Sequence, residues 1–213
     1  MKLSIVIPVY NEKKYIQEIV KRVIEIDLLL IEKEIIFVDD FSTDRTREIL
    51  QNILEKQVDR LIYQVKNRGI GAALRSGFQH ISGEVIIVQD ADLEYNPTEY
   101  GKLIKRIIDG RADAVYESRF VGSEPHRVLF FWHQVGNKLS TILSNMINNL
   151  NLTDRETCYK MFKKEVINSI QIEQNRFGFM PEITAKLAKG NWRLYEVGIS
   201  YSGRNYAEGK KIN

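Results

Sequence analysis

Glu84-Val85-Ile86-Ile87-Val88-Gln89-Asp90-Ala91-Asp92 sets two carboxylates, one residue apart, at the end of an unbroken apolar run. Val85, Ile86, Ile87 and Val88 read as a buried strand. Such a strand delivers the residues after it to the carboxyl edge of an open α/β sheet, where ligands bind. Two hard oxygen donors this close suit Mg²⁺ or Mn²⁺ held jointly with a diphosphate. The competing reading is a solvated acidic turn ahead of a helix that starts near Pro97. The triplet alone divides evenly between the two.

The same rhythm extends outward in both directions. Residues 3–9 read as a first strand, and 15–28 carry Ile16, Ile19, Val20, Val23 and Ile24 at helical spacing. A second strand at 35–38 ends in Asp39-Asp40, and Ser42-Thr43-Asp44 offers an N-cap to a helix holding Ile49, Leu50, Ile53 and Leu54. A third strand at 61–65, a helix at 72–81, a helix after Pro97 and a fifth strand at 113–116 continue the alternation. The pattern predicts an α/β fold with a mostly parallel central sheet and helices on both faces.

Past Phe120 the rhythm breaks. Val128-Leu129-Phe130-Phe131-Trp132 is a bulky apolar cluster, and a helix is expected over 135–147. A strand at 157–162, a helix at 182–188 and a strand at 193–199 complete the expectation. No linker or repeat separates these parts, so the second half decorates the first within a single domain, 1–213.

Composition sets outer bounds. The chain has 213 residues, 44% hydrophobic and 28% charged, with a net charge of +3. It can bury a full core and has no bias toward nucleic acid. The lone cysteine, Cys158, excludes an internal disulfide and fits a reducing compartment. No apolar stretch approaches the ~20 residues of a membrane span. The apolar start resembles a signal peptide only until Asn11-Glu12-Lys13-Lys14 interrupts it. A cytoplasmic protein is expected. No finishing element follows Lys210-Lys211, so the tail is expected to be disordered or cut.

Strand ends of one sheet meet at one edge. There the chain sets Pro8, Tyr10, Asn11 and Glu12, then Asp39 and Asp40, then Asn67, Arg68, Gly69 and Gly71. Asp90 and Asp92 follow, with Ser118 and Arg119 after the fifth strand. Carboxylates suit ribose hydroxyls or a base edge, a tyrosine ring stacks on a base, and glycines let backbone approach a ligand. Together these describe a nucleotide-diphosphate site.

Four stretches carry a family likeness: Val6-Ile7-Pro8-Val9-Tyr10-Asn11-Glu12, Val38-Asp39-Asp40-Phe41-Ser42-Thr43-Asp44, Asn67-Arg68-Gly69-Ile70-Gly71-Ala72-Ala73-Leu74 and Gln89-Asp90-Ala91-Asp92-Leu93. In this order and at these intervals they resemble family 2 glycosyltransferases. Ser118-Arg119-Phe120 and Gly136-Asn137-Lys138-Leu139-Ser140 point to the dolichyl- or polyprenyl-phosphate sugar transferase branch. The resemblance implies a GT-A fold and inverting, metal-dependent transfer of a hexose from a nucleotide-diphosphate sugar, GDP-mannose or a UDP-sugar. It implies a nucleotide-sugar-binding half, 1–117, and an acceptor-binding half, 118–213. Asp92 would be the main metal ligand, with Asp90 contacting the metal or the nucleotide. Asp39 would hold base or ribose, and Pro8, Tyr10, Glu12, Asp40, Asn67, Gly71 and Ala91 would line the nucleotide pocket. Three departures stand out: Ile70 where lysine is frequent, Glu117 where glycine often precedes Ser-Arg, and Thr157-Cys158-Tyr159-Lys160 in place of a Ser-Gly-Phe-Arg-like run.

The acceptor decides which further groups are needed. A sugar hydroxyl needs a general base, for which Asp154 is the candidate and Glu156 a weaker one. A phosphate monoester, with a second pKa of about 6, is already largely ionised and needs cations instead. Arg119, Arg127 and Arg204 are the candidates to hold it, with His126, Lys210 and Lys211 nearby in sequence. Asp92, Arg119 and Asp154 make up the expected catalytic set. The aromatic cluster beside Arg127 and His133 suits a bilayer interface, and hence peripheral contact with the cytosolic membrane face. The alternative is a soluble transferase acting on a glycan or protein hydroxyl. A non-catalytic phosphoreceiver-like domain would need different residues where Asn67 and Arg119 stand. A dinucleotide fingerprint fails at Leu74, and a zinc site built on His126 and His133 lacks a third ligand.

Overall fold

A computed structural model describes residues 1–54, 57–128 and 130–208. Leu129, Lys210 and Lys211 lie outside the described residues. The chain runs β1 (Lys2–Val9), α1 (Ile16–Glu25), β2 (Glu32–Asp39), α2 (Thr46–Ile49), β3 (Arg60–Tyr63), α3 (Ile70–Phe78) and β4 (Val85–Val88). It continues with α4 (Tyr100–Ile108), β5 (Ala114–Ser118), α5 (Phe131–Asn148), β6 (Lys160–Lys163), α6 (Lys164–Ser169), α7 (Phe179–Lys189) and β7 (Leu194–Gly198). The helix expected around Leu50 is a short α2 that widens into a π-helical stretch over Leu50–Leu54. The N-cap of α2 is Arg45, which makes no side-chain cap bond; the expected capping stretch lies just ahead of it, where Asp44 accepts from the Thr46 N–H at 3.1 Å.

The strands form one seven-stranded sheet in the order β3-β2-β1-β4-β6-β5-β7. β1 lies between parallel neighbours, pairing Val9 with Asp39 and Val6 with Val88. The carboxyl ends of β1, β2 and β4 therefore lie side by side. Alternation along β1 divides the core. Leu3, Ile5, Ile7 and Val9 pack with α1 and α4, while Val6 joins Leu74 of α3 and Phe179, Ile183 and Leu187 of α7. The helices cover both faces, as the pattern predicts.

The sheet is mostly parallel, as expected, and β6 is its exception. It runs antiparallel to both β4 and β5, entering at the carboxyl edge with Lys160 opposite Val88. The strand expected from residue 157 starts at Lys160 because a polar turn precedes it, and α6 then follows without a loop. Lys160 is fully buried in this turn and donates to the Arg155 carbonyl at 3.1 Å and to the Thr157 carbonyl.

α5 inverts the usual polarity of a surface helix. Thr141 and Ser144 are its buried residues, with His133, Asn137, Ser140, Asn145 and Asn148 half-buried on the same stripe. Asn145 donates to the Leu152 carbonyl at 2.7 Å, and Ser140 to Glu156 at 2.8 Å. The apolar stripe, Phe131, Trp132, Val135, Leu139, Ile142, Leu143, Met146 and Ile147, faces outward, with Trp132 77% and Ile147 82% exposed. A continuous exposed apolar face marks a surface that meets something other than water.

At the opposite end of the sheet, Glu34 fixes the start of β1. It accepts from Ser4 and Ser82 hydroxyls at 2.5 and 2.6 Å and from the Ser82 N–H at 2.8 Å. Burial pushes its carboxyl up, but these bonds and the Lys2 charge outweigh it and hold the group at about 2. The folded value lies below the unfolded one, so the stabilisation is full above the unfolded value and is lost as pH falls toward about 2. Glu34→Gln is expected to cost about 1–3 kcal/mol at pH 7. In thermal unfolding, its deficit against the unsubstituted protein should shrink as the pH is lowered through that window.

Candidate active site

The loops at the carboxyl edge are braced by their own acids. Asp39 is fully buried, accepting from the Ser42 N–H at 3.1 Å and pairing with Arg47 Nε at 2.7 Å. The Arg47 guanidinium lies between the Phe41 and Tyr63 rings, 5.5 and 5.2 Å from their centroids. Asp40 accepts from the Arg68 and Gly69 N–H groups at 2.8 and 2.7 Å and from Asn67 Nδ2 at 3.0 Å. This bond set holds the third loop against the second. Gly71 is required there because a Cβ would lie 2.2 Å from the Gln174 carbonyl. Pro8, Tyr10 and Asn67 border the same edge, with Tyr10 exposed at its rim.

Asp90 and Asp92 follow β4 as predicted, with Ala91 buried between them. Burial first, and then neighbouring acids, Glu94 and Glu12 for Asp90, Asp90 and Glu94 for Asp92, push both carboxyls up. The lone cysteine, Cys158, interacts with Asp90 and draws its carboxyl down against these effects. Leu93 adopts a left-handed backbone, φ +64°, and the turn brings the Glu94 N–H to Asp92 at 3.1 Å. Glu94 is the acid that the sequence reading missed. Its signal was the repeat of the Asp90–Asp92 spacing one step further on.

Arg204 reaches this cluster from the far end of the chain. Its guanidinium pairs with Asp92 at 2.8 Å, Glu94 at 3.2 Å and Glu12 at 3.3 Å, and lies over the Tyr15 ring. Tyr201 adds a bond to Glu94 at 2.6 Å. Among the described residues no three acids, histidines or cysteines are set to hold an ion together. Two adjacent carboxylates are nonetheless the donor set Mg²⁺ needs when substrate phosphates and water complete its shell. The residues therefore fit a hard divalent cation, with Asp90 and Asp92 as its protein ligands.

The other predicted residues form a second group. Asp154 is fully buried, and Arg119 grips it with Nε at 2.6 Å and Nη2 at 2.8 Å, while the Arg119 N–H adds a third bond at 3.1 Å. Glu196 fixes the loop from behind by accepting from the Asp154 N–H at 3.0 Å. Arg119 also stacks on Tyr201, 5.1 Å from its centroid, which links this pair to the acidic cluster. Glu156 is engaged by Ser140 and Arg155. Arg127 is not brought to the acidic pair. It donates to the Gly203 carbonyl at 3.1 Å and pairs with Glu208 at 2.6 Å. His126 bridges to Tyr201, and His133 bonds Tyr206 at 2.8 Å.

Comparison with known proteins identifies the family and the fold. Residues 4–171 match the model of glycosyl transferase family 2. The dolichol-phosphate mannosyltransferase of Pyrococcus furiosus is 31% identical over all of this chain and 61% of its own length. The undecaprenyl-phosphate 4-deoxy-4-formamido-L-arabinose transferase of Edwardsiella ictaluri is 29% identical over 98% of this chain and 62% of its own. The chain thus spans about three-fifths of the length of these relatives. Glucosyl-3-phosphoglycerate synthase of Mycobacterium tuberculosis, solved with Mn²⁺, UDP and glucosyl-3-phosphoglycerate, shares the fold at a TM-score of 0.75 and 16% identity, over 97% of this chain and 74% of that one.

The burial of Asp154 makes its pairing with Arg119 testable by stability. Asp154→Asn leaves a guanidinium without its counter-charge and is expected to cost about 3–5 kcal/mol in urea unfolding. Adding Arg119→Gln should recover part of that loss, the signature of coupling in a double-mutant cycle.

Proposed function

As this chain belongs to glycosyl transferase family 2, we propose that it moves a hexose from a GDP- or UDP-linked donor to a polyprenyl phosphate, with inversion and with Mg²⁺ or Mn²⁺. The observation that carries the lipid acceptor is the outward apolar stripe of α5, with Arg127 just ahead of the helix in the chain. A chain of isoprene units needs an apolar surface, and its phosphate needs a cation beside that surface. No helix among the described residues is long and apolar enough to cross a membrane. In this reading the protein lies peripherally on the cytosolic face, with α5 in the interface.

The first half, 1–117, binds the donor in this proposal, and the second half, 118–213, presents the acceptor. Tyr10 stacks on the base, while the Asp39 and Asp40 braces shape its pocket. Asp90 and Asp92 hold the cation, which when bound offsets charge on the departing diphosphate. A single displacement follows: an acceptor phosphate oxygen bonds to the anomeric carbon as the bond to the diphosphate breaks, and the centre inverts. The acceptor phosphate, with a second pKa of about 6, gives up no proton in this step at neutral pH. The burial of Asp154 favours this acceptor over a hydroxyl. Its carboxylate is committed to Arg119, so it positions a phosphate-binding cation and removes no proton.

Two measurements test this. Asp92→Ala should reduce metal-dependent transfer of radiolabelled hexose to a polyprenyl phosphate by at least about 100-fold, with an unchanged circular-dichroism spectrum. Near-normal transfer would remove Asp92 from the site. Phe131→Ser with Trp132→Ser should lower co-sedimentation with liposomes while leaving the melting temperature intact. Unchanged sedimentation would mean that α5 faces something other than lipid. Phe130 is the wrong target, because it stacks on His133 and Tyr206 at 5.2 and 4.9 Å.

A further inference from the structure

We propose that residues 199–208 form a strap that plugs the acidic site, with Arg204 standing in for the divalent cation, so that a cation is admitted only when the strap lifts. This inference rests on the reading of Asp90 and Asp92 as the metal pair. Arg204 is far from a surface charge that happens to face acids. Its side chain is 11% exposed and touches carboxylates from two loops, Glu12 after β1 and Asp92 and Glu94 after β4. Its backbone N–H also bonds Glu94, at 3.0 Å. Three bonds at three nitrogens spread the acids over the guanidinium fork. A small ion requires them gathered around one point at a much shorter distance. The two arrangements of Asp92 exclude each other.

Charge argues the same way. One guanidinium faces three carboxylates, and Asp90 lies beside them. The plug relieves only part of the crowded negative charge, so a divalent ion has more to gain there than Arg204 has. Glu94 also holds the root of the strap, accepting from the Tyr201 hydroxyl at 2.6 Å and, at its carbonyl, from the Ser202 N–H at 3.0 Å, but the attachments beyond Arg204 are of a kind that breaks readily. Glu208 joins Arg127 in an ion pair whose side chains are 43% and 39% exposed, and exposed pairs contribute about 0–1 kcal/mol. Tyr206 is held by His133 and by stacking on Phe130, and Tyr15 donates to the Glu208 carbonyl at 3.0 Å. Nearer the sheet, Tyr201 stays anchored, accepting at its carbonyl from the Arg127 N–H at 2.8 Å. The outer part of the strap can therefore lift while its root stays in place.

Competition of this kind is a coupling free energy and acts in both directions. Filling the site must loosen the strap by the factor by which the strap weakens the site. The experiment is titration of the nucleotide-free protein with Mn²⁺, read from the electron paramagnetic resonance of free Mn²⁺. Arg204→Gln is expected to bind Mn²⁺ about tenfold more tightly than the unsubstituted protein. Arg204→Lys, which keeps the charge, should stay near the unsubstituted value. Tyr206→Ala, which loosens the strap without touching any acid, should also tighten binding, so the test does not hang on one variant. Trypsin should cut after Arg204 slowly in the resting protein and faster once Mn²⁺ is added. Equal or weaker Mn²⁺ binding in both Arg204→Gln and Tyr206→Ala would overturn the plug and leave the metal site standing. No Mn²⁺ binding by any form, even with GDP or UDP present, would overturn both.

Discussion

Carboxylates crowded at the end of a buried strand are the constraint on which the rest of this molecule depends. β4 is buried along its whole length, so its exit fixes Asp90 and Asp92 at the carboxyl edge. The left-handed turn at Leu93 then folds Glu94 back on the same spot, and the parallel register of β1 adds Glu12. That much like charge in a half-buried place is costly without a counter-ion. Arg204 supplies one, and in doing so it fixes the path of the strap. The strap in turn sets Tyr201 against Arg119 and Tyr206 against His133. A local electrostatic problem at one strand end thus organises side chains from both halves of the chain.

The three arginines proposed for the acceptor are all paired with acids: Arg119 with Asp154, Arg127 with Glu208, and Arg204 with the acidic cluster. These pairings differ in kind. Arg119 meets a fully buried partner through a two-nitrogen fork, which orients it without freeing it. Arg127 and Glu208 form an exposed pair that a phosphate can replace at little cost. In the proposed reading an acceptor phosphate would meet one fixed cation, Arg119, and one, Arg127, that can change partners.

Much of the fold could be read in the sequence because its signals are local. Four parallel strands announced themselves as apolar runs over 3–9, 35–38, 61–65 and 85–88, and the carboxyl ends of β1, β2, β3 and β4 do meet at one edge. What escaped reading was set by tertiary context. Lys160 breaks the apolar pattern of β6, and its place in the core depends on the Arg155 and Thr157 carbonyls around it. α6 is too short to show a period. The apolar stripe of α5 was visible, but periodicity does not say which way a stripe faces, and here the core takes the polar side. Phe130 and Phe131 are neighbours in sequence, yet one fastens the strap and the other faces outward. Arg204 gave no sequence signal that it would reach Asp92, because a contact across that separation leaves no local period.

The departures from the family pattern gain a physical sense from burial. Glu117 stands where glycine is common, is fully buried, and has no hydrogen-bond partner for either oxygen among the described residues. Burial, and then the Glu99 charge, push its carboxyl well above the usual range. An ionised group there would add to the negative charge that Arg204 only partly offsets. Lys160, buried close by, works the other way: it lends positive charge to the surroundings of Asp90 and Glu117. The protein therefore balances its site with buried charge behind the acids as well as with the strap in front of them. Under the strap proposal a cation at the mouth of the site would displace Arg204, whereas Lys160 stays bonded to the Arg155 and Thr157 carbonyls.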